Sequence, residues 1–191
     1  MLTDDTINLL ARVARTPHTM GEGACDRSIL TLAAASYGAK PTDEATVPTG
    51  FDPVAAALFE SIVEGAYLVA TADGVFDDEE RRTFERVVTA SCGGMVPQAL
   101  VADLVADLDD QLQEDGLDRR IGRLAAGVQR PEHAYEVLRI AALIATVSDD
   151  VSEVERGVLG RMATAFELAP SAVDEAIDAA RASLRADPRG A

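Results

Sequence analysis

The stretch Ala70-Thr-Ala-Asp-Gly-Val-Phe-Asp-Asp-Glu-Glu-Arg81 decides how this chain folds. Asp73-Gly74 is a turn dipeptide, because glycine adopts at no steric cost the positive φ that ends a helix. Asp77 stands three residues before Glu80, which is the spacing of a capping box with Asp in the Ser/Thr position. The stretch therefore predicts the end of one helix, an acidic turn and the capped start of another helix.

The same pattern returns at an offset of 75 residues, as Ala145-Thr-Val-Ser-Asp-Asp-Val-Ser-Glu-Val-Glu-Arg156. In this second copy Ser152 takes the place of Asp77, and Glu155 takes the place of Glu80. The flanking apolar positions also correspond without a gap: Ile62, Leu68 and Val69 match Val137, Leu143 and Ile144, and Phe84 and Val87 match Leu159 and Met162. We interpret this correspondence as an internal duplication.

The composition favours helices. Of the 191 residues, 48% are hydrophobic but only 4% are aromatic and none is Trp, so the core must consist of Ala, Val, Leu and Ile. That mixture suits close-packed helices better than a β-sandwich. We therefore predict an all-α helical bundle built from two repeated helix–acidic turn–helix units, preceded by an N-terminal helical arm.

Proline, glycine and small polar residues suggest how the chain is divided. Residues 1–50 are predicted to be an N-terminal arm or cap with a linker, 51–185 the duplicated helical domain, and 186–191 a disordered tail. The most continuous apolar segments, 54–72 and 131–147, are predicted to be the central pair of helices. The other helices are predicted at 4–15, 28–37, 78–91, 97–113, 117–129 and 152–168.

The charge restricts the possible partners. A formal net charge of −16 argues against nucleic acid and against anionic membrane surfaces, which both require basic patches. It suits cations or a basic protein partner, although acidity is also a means of staying soluble. We expect a cytoplasmic protein without direct membrane insertion, because the chain lacks a long uncharged apolar segment and a basic signal-peptide start, and its two cysteines are isolated.

The two acidic turns are the candidate functional sites. Their carboxylates could supply oxygen ligands to a divalent metal, Ca²⁺ or Mg²⁺. The alternative is that they only cap helices and form turns, which the capping-box spacing already explains. The candidate metal ligands are Asp73, Asp77 and Glu80 in the first copy, and Asp149, Asp150 and Glu155 in the second.

Known catalytic and metal-binding patterns are not matched. An EF-hand beginning at Asp73 or Asp149 would need Glu at its twelfth position, where Phe84 and Gly160 stand. Neither of the two histidines has Glu three residues before it, as a di-iron bundle requires. The sequence contains no nucleophile–base set, phosphate loop or cofactor fingerprint, so we predict that the protein is not an enzyme.

Two further groups of acids have ordinary explanations. Glu60 and Glu64 lie one turn apart on a predicted buried helix and are expected to pair with arginines of neighbouring helices. The segment from Val87 to Asp118 has no basic residue, which is typical of a solvated face and less often of a partner-binding surface. Its acids are Asp103, Asp107, Asp109, Asp110, Glu114, Asp115 and Asp118.

The phrase Ala72-Asp73-Gly74-Val-Phe-Asp-Asp-Glu-Glu80, at the end of an Ala/Val-rich helix and repeated once, resembles the tellurite-resistance protein TerB family. The resemblance covers about residues 53–180. It implies an all-α bundle without catalytic activity, divalent-metal binding at the acidic turns, and a role in tellurite or stress response with protein partners that include membrane-associated ones. The positions that match the family are Asp73, Glu80 and Glu155. The second turn departs from the pattern, because Ser148 occupies the position of Asp73.

Overall fold

A computed structural model describes residues 2–17, 28–40, 51–74, 76–146 and 151–186, and the chain is mostly helical in these ranges. No strand occurs within these ranges, which confirms the predicted all-α class. The helices are α1 (Asp4–Ala14), α2 (Ile29–Gly38), α3 (Pro53–Ala70), α4 (Asp78–Ser91), α5 (Gln98–Asp115), α6 (Leu117–Gly127), α7 (Pro131–Ala145), α8 (Glu153–Ala165) and α9 (Ala172–Ala186).

Helices α3 and α7 form the centre of the bundle, as predicted, and contact each other more extensively than any other pair. Phe59 on α3 is fully buried, and Leu143 on α7 is 2% exposed. The two backbones approach closely at Gly65, where an added Cβ would lie 2.5 Å from Cγ1 of Val137. Because that distance is shorter than any real carbon contact, this crossing depends on glycine at position 65.

Helix α3 is also the one helix among the described residues that is long and apolar enough to cross a membrane. It carries Glu60 and Glu64, and 61% of its length is buried by the other helices. This burial is the pattern of a core helix.

The N-terminal helices pack as a cap on the core. Helix α1 lies against α4 and α9, helix α2 lies against α3, and the apolar faces of both belong to the main hydrophobic cluster. Asp4 at the start of α1 pairs with Arg86 of α4. At the other end, the guanidinium of Arg139 donates to the carbonyl oxygen of Ala14 at 2.9 Å while it is paired with Glu136. Residues 18–27, 41–50 and 187–191, which include most of the predicted linker and of the predicted tail at 186–191, lie outside the described residues.

Some helices end earlier than the sequence pattern predicts. Helix α3 stops at Ala70, and the chain then turns through Gly74 at φ +80°. Helix α8 stops at Ala165 because Glu167 adopts a positive φ of 56°. The apolar pattern continued past both ends; Asp73-Gly74 predicted the turn after α3, but no such signal marked the end of α8.

The helix boundaries on either side of the two acidic turns keep the spacing of the predicted repeat. Helices α3 and α7 end at Ala70 and Ala145, and helices α4 and α8 begin at Asp78 and Glu153, which keeps the same offset of 75 residues. Superposing residues 54–91 on 129–166 is the direct test, and the duplication stays a prediction.

Candidate functional site

Both acidic turns carry a complete capping box. Oδ1 of Asp77 accepts the backbone N–H groups of Glu79 and Glu80 at 2.8 and 2.9 Å, and Oε2 of Glu80 accepts the N–H of Asp77 at 3.0 Å. In the second copy the Ser152 hydroxyl accepts the N–H of Glu155 at 3.2 Å, and Oε2 of Glu155 accepts the N–H of Ser152 at 2.8 Å. The predicted capping role of these residues is confirmed.

Capping uses only half of each carboxylate. Oδ2 of Asp77, Oε1 of Glu80 and Oε1 of Glu155 take no part in the two boxes. Asp77 and Glu80 are exposed, and Glu155 is half-buried. The caps therefore hold these side chains in place and leave one oxygen of each for another contact.

The two boxes face one cleft of about 520 Å³. This volume lies in the range of about 300–1,000 Å³ that is typical of ligand pockets. Four carboxylates and several apolar side chains line it, and no lysine or arginine does so among the described residues. The lining residues are Leu2, Ala70, Phe76, Asp77, Glu79, Glu80, Thr83, Phe84, Val87, Ile144 and Glu155.

An aromatic cluster supports one side of the cleft. Phe76 packs edge-on against Tyr67, with ring centroids 5.3 Å apart, and against Phe84 at 6.1 Å. The guanidinium of Arg81 lies 5.6 Å from the centre of the Phe76 ring. These contacts fix the position of Phe76, which follows the turn directly.

Asp109 of α5 holds this cluster together. Its carboxylate accepts the Tyr67 hydroxyl at 2.8 Å, the Arg81 guanidinium at 3.0 Å and the Gln113 amide at 3.2 Å. The hydrogen bond from Tyr67 is the main reason that the pKa of Asp109 lies below its ordinary value, and Arg81 and Gln113 lower it further. Burial and the same hydrogen bond raise the pKa of the Tyr67 phenol. Sequence reasoning missed this role and placed Asp109 on a solvated face.

The predicted metal ligands are brought together only in part. Asp77, Glu80 and Glu155 meet at the cleft, whereas Asp73 is exposed in the preceding turn and is not among the described lining residues. Asp149 and Asp150 lie outside the described residues. Within the described ranges no group of three or more His, Cys, Asp or Glu side chains is placed to hold a metal ion. These side chains alone therefore do not form a metal site.

Glu60 and Glu64, the two acids that the sequence placed on a buried helix, are both paired. Glu64 is buried and bonds to the guanidinium of Arg120, with Nε at 2.8 Å, which confirms the predicted arginine partner. Burial is the main cause that raises the pKa of Glu64, against the opposing effect of Arg120. Glu60 pairs at the surface with Lys40 at 2.6 Å, where an arginine had been expected. These pairs are structural and lie away from the cleft.

The fold and the cleft define a class of protein: an all-α module in which the capped beginnings of two helices line one acidic cleft. The sequence model of the family "Tellurite resistance protein TerB" matches residues 55–178, which is more than half of the chain. The chain therefore belongs to the TerB family. No curated protein and no solved structure matches it. Helices α1 and α2 precede the matched region, although they pack on its core.

Proposed function

We propose that this chain is a non-enzymatic binding module of the cytoplasm, that it acts with a protein partner in a tellurite or stress response, and that it binds its ligand at the acidic cleft. One observation carries the proposal. Asp77 and Glu80 of the first turn and Glu155 of the second turn line the same cleft, although they are far apart in sequence. Capping alone does not require the two turns to share a surface.

A divalent cation, Ca²⁺ or Mg²⁺, is the first candidate ligand. The carboxylate oxygens left over by the caps are hard donors of the kind that these ions prefer. The described residues supply only part of a ligand set, and Asp149 and Asp150 of the second turn are the proposed source of the remainder. A cation at this place would also reduce the repulsion between neighbouring carboxylates.

Thermal melting tests the cation. Binding to the folded state raises stability by RT ln(1 + [L]/Kd), so millimolar CaCl₂ or MgCl₂ should raise the Tm further than NaCl of the same ionic strength. The NaCl control is essential, because a net charge of −16 is screened by any salt. Equal Tm values in the three salts would contradict a divalent site.

The chain itself suggests the matched variant for this test. Asp77→Ser gives the first capping box the chemistry that Ser152 has in the second, so helix α4 should stay capped. The substitution removes one carboxylate from the cleft. We expect the Tm of Asp77→Ser in NaCl to lie within a few degrees of the wild-type Tm. We also expect this variant to lose most of the Tm increase that CaCl₂ gives beyond NaCl of the same ionic strength. An undiminished increase would exclude Asp77 as a ligand, and the same comparison with Asp73→Asn tests the more distant acid.

The second candidate is a protein-interaction module whose acidic turns cap helices and carry a binding surface without a metal. The apolar part of the cleft, with Phe76, Phe84 and Ile144, favours this function. Side chains of this kind do not coordinate Ca²⁺ or Mg²⁺, but they do pack against the side chains of a protein ligand.

A further inference from the structure

We propose that the acidic cleft docks a basic peptide segment of a partner protein, which places an apolar side chain on Phe76 and Ile144 and its arginines or lysines on the acidic rim. The proposal rests on the proposed function, since it uses the same cleft, but it needs no metal ion. It names the chemistry of the protein partner.

The floor of the cleft supplies the first part of the argument. Phe76 and Ile144 are only partly buried although they pack against the core, so each keeps apolar surface on the cleft side. Leu2 and Ala70 are also partly buried and line the cleft, whereas Phe84 and Val87 line it but are themselves buried. A hydrated cation gains nothing from covering this surface, whereas a leucine or the stem of an arginine removes it from water.

The rim supplies the second part. Asp77, Glu79 and Glu80 come from the first turn of α4, and Glu155 comes from the first turn of α8. Their four carboxylates face no basic side chain among the described lining residues. The side chain of Glu79 is not an acceptor in the capping box, so its whole carboxylate can receive a ligand. A rim of one charge around an apolar floor is complementary to a basic amphipathic segment.

A contact inside the protein shows the same combination. Arg81 lies over the Phe76 ring and forms an ion pair with Asp109 at 3.0 Å. A guanidinium is thus already held here between an aromatic face and a carboxylate. The cleft offers a ligand aromatic rings next to carboxylates in the same way, and arginine suits such a place better than lysine because its planar group stacks and forms paired hydrogen bonds.

Synthetic peptides test the proposal directly. The probe is the fluorescein-labelled peptide Gly-Arg-Arg-Leu-Arg-Arg-Gly, and its binding to the full chain is followed by fluorescence anisotropy at fixed ionic strength. A control peptide has Ser in place of Leu and the same charge. Burial of the leucine side chain on the apolar floor favours binding, so we expect the leucine peptide to bind at least about tenfold more tightly. Equal affinity would overturn the proposal, because only the overall charge would then be recognised.

Paired variants locate the binding site on the protein. Glu79→Lys and Asp78→Lys make the same charge change in the same first turn of α4, but of the two only Glu79 lines the cleft. We expect Glu79→Lys to weaken peptide binding about fivefold or more and Asp78→Lys to weaken it less than about twofold. Thr83→Trp places a large side chain in the cleft and should abolish binding, with circular dichroism confirming the fold. Equal effects of the two lysine variants would overturn the proposal.

The outcome is separable from that of the metal test. Selective peptide binding with equal Tm values in CaCl₂ and NaCl would support the peptide and reject the divalent cation. A Tm increase specific to CaCl₂ without discrimination between the two peptides would support the cation and overturn the peptide. Spermidine and the serine peptide can also be compared as competitors of the labelled leucine peptide, at equal concentrations of positive charge. If spermidine displaces the leucine peptide as well as the serine peptide does, the result counts against the proposal, because a small cation would then suffice.

Discussion

Asp109 is one of 33 acidic residues, yet it joins three helices through its contacts with Tyr67, Arg81 and Gln113. Through Tyr67 and Arg81 it also fixes Phe76, which packs against both of them and lines the cleft. Asp103 on the same helix is exposed and serves as its natural comparison. At the scale of single residues, acidic side chains of equal charge thus contribute very differently to the fold.

We predict that Asp109→Asn lowers the free energy of unfolding by about 1 kcal/mol, because the amide still accepts the Tyr67 hydroxyl but no longer attracts Arg81. Asp103→Asn should stay within about 0.5 kcal/mol of the wild type. Urea denaturation at neutral pH measures both values. A similar loss in the free energy of unfolding for both variants would mean that the ion pair between Asp109 and Arg81 does not stabilise the fold.

The same residue predicts a pH dependence. The pKa of Asp109 is lowered in the folded state, so its stabilising contribution is complete above the ordinary value of 3.8 and is lost as the pH falls through the lowered value. The difference in the free energy of unfolding between wild type and Asp109→Asn should therefore shrink as the pH falls through the lowered pKa of Asp109. Urea titrations at a series of acidic pH values would show this, and a difference that stays constant down to unfolding would contradict it.

Sequence patterns predicted residues with local partners and missed those with distant ones. The capping boxes at Asp77 and Ser152 were predictable because each cap and its partner lie three residues apart. Asp109 was not, because Arg81 and Tyr67 lie 28 and 42 residues away and no local pattern joins them. The one signal available was that Asp109 lies beside Leu108 and Leu112 at the edge of the buried stripe.

At the scale of helices, the crossing of α3 and α7 is the feature that organises the rest. Gly65 allows the two helices to approach, since an added Cβ would meet Val137 at 2.5 Å and Met162 at 3.0 Å. Valine is stiff at χ1 and buried here, so it cannot easily move aside. The apolar pattern predicted which helices are central, but the place where they cross depends on side chains of two segments far apart in sequence.

Two glycine substitutions should therefore change stability in opposite directions. Gly65→Ala gains about 1 kcal/mol of helix propensity but creates an overpacked contact of roughly 1–3 kcal/mol, so we expect a net loss. Gly122→Ala in α6 meets no atom within 4 Å and should stabilise the protein by about 0.5–1 kcal/mol. Thermal or urea unfolding of the two variants compares them, and a Gly65→Ala protein as stable as Gly122→Ala would mean that α3 and α7 are farther apart than described.

At the scale of the whole molecule, the acidic cleft results from the arrangement of both halves. Helices α4 and α8 begin at their capping boxes, and the packing of α3 on α7 brings the two beginnings to one surface. Leu2, just before α1, completes the lining, so the N-terminal cap contributes to the cleft as well as to the core. Sequence analysis found both capping boxes, but it could not show that Asp77, Glu80 and Glu155 line one cleft, because that depends on how the bundle closes.

Amide chemical shifts measured by NMR during a CaCl₂ titration at constant ionic strength test the central claim most directly, namely that the two acidic turns form one binding site. The account predicts saturable shifts at the start of α4, around Asp77 and Glu80, and at the start of α8, around Glu155, with one common Kd. The exposed acids of α5, such as Asp103, serve as internal controls, and their amide chemical shifts should change no more in CaCl₂ than in NaCl. Shifts confined to one turn, or spread evenly over the acidic surface, would contradict a shared site.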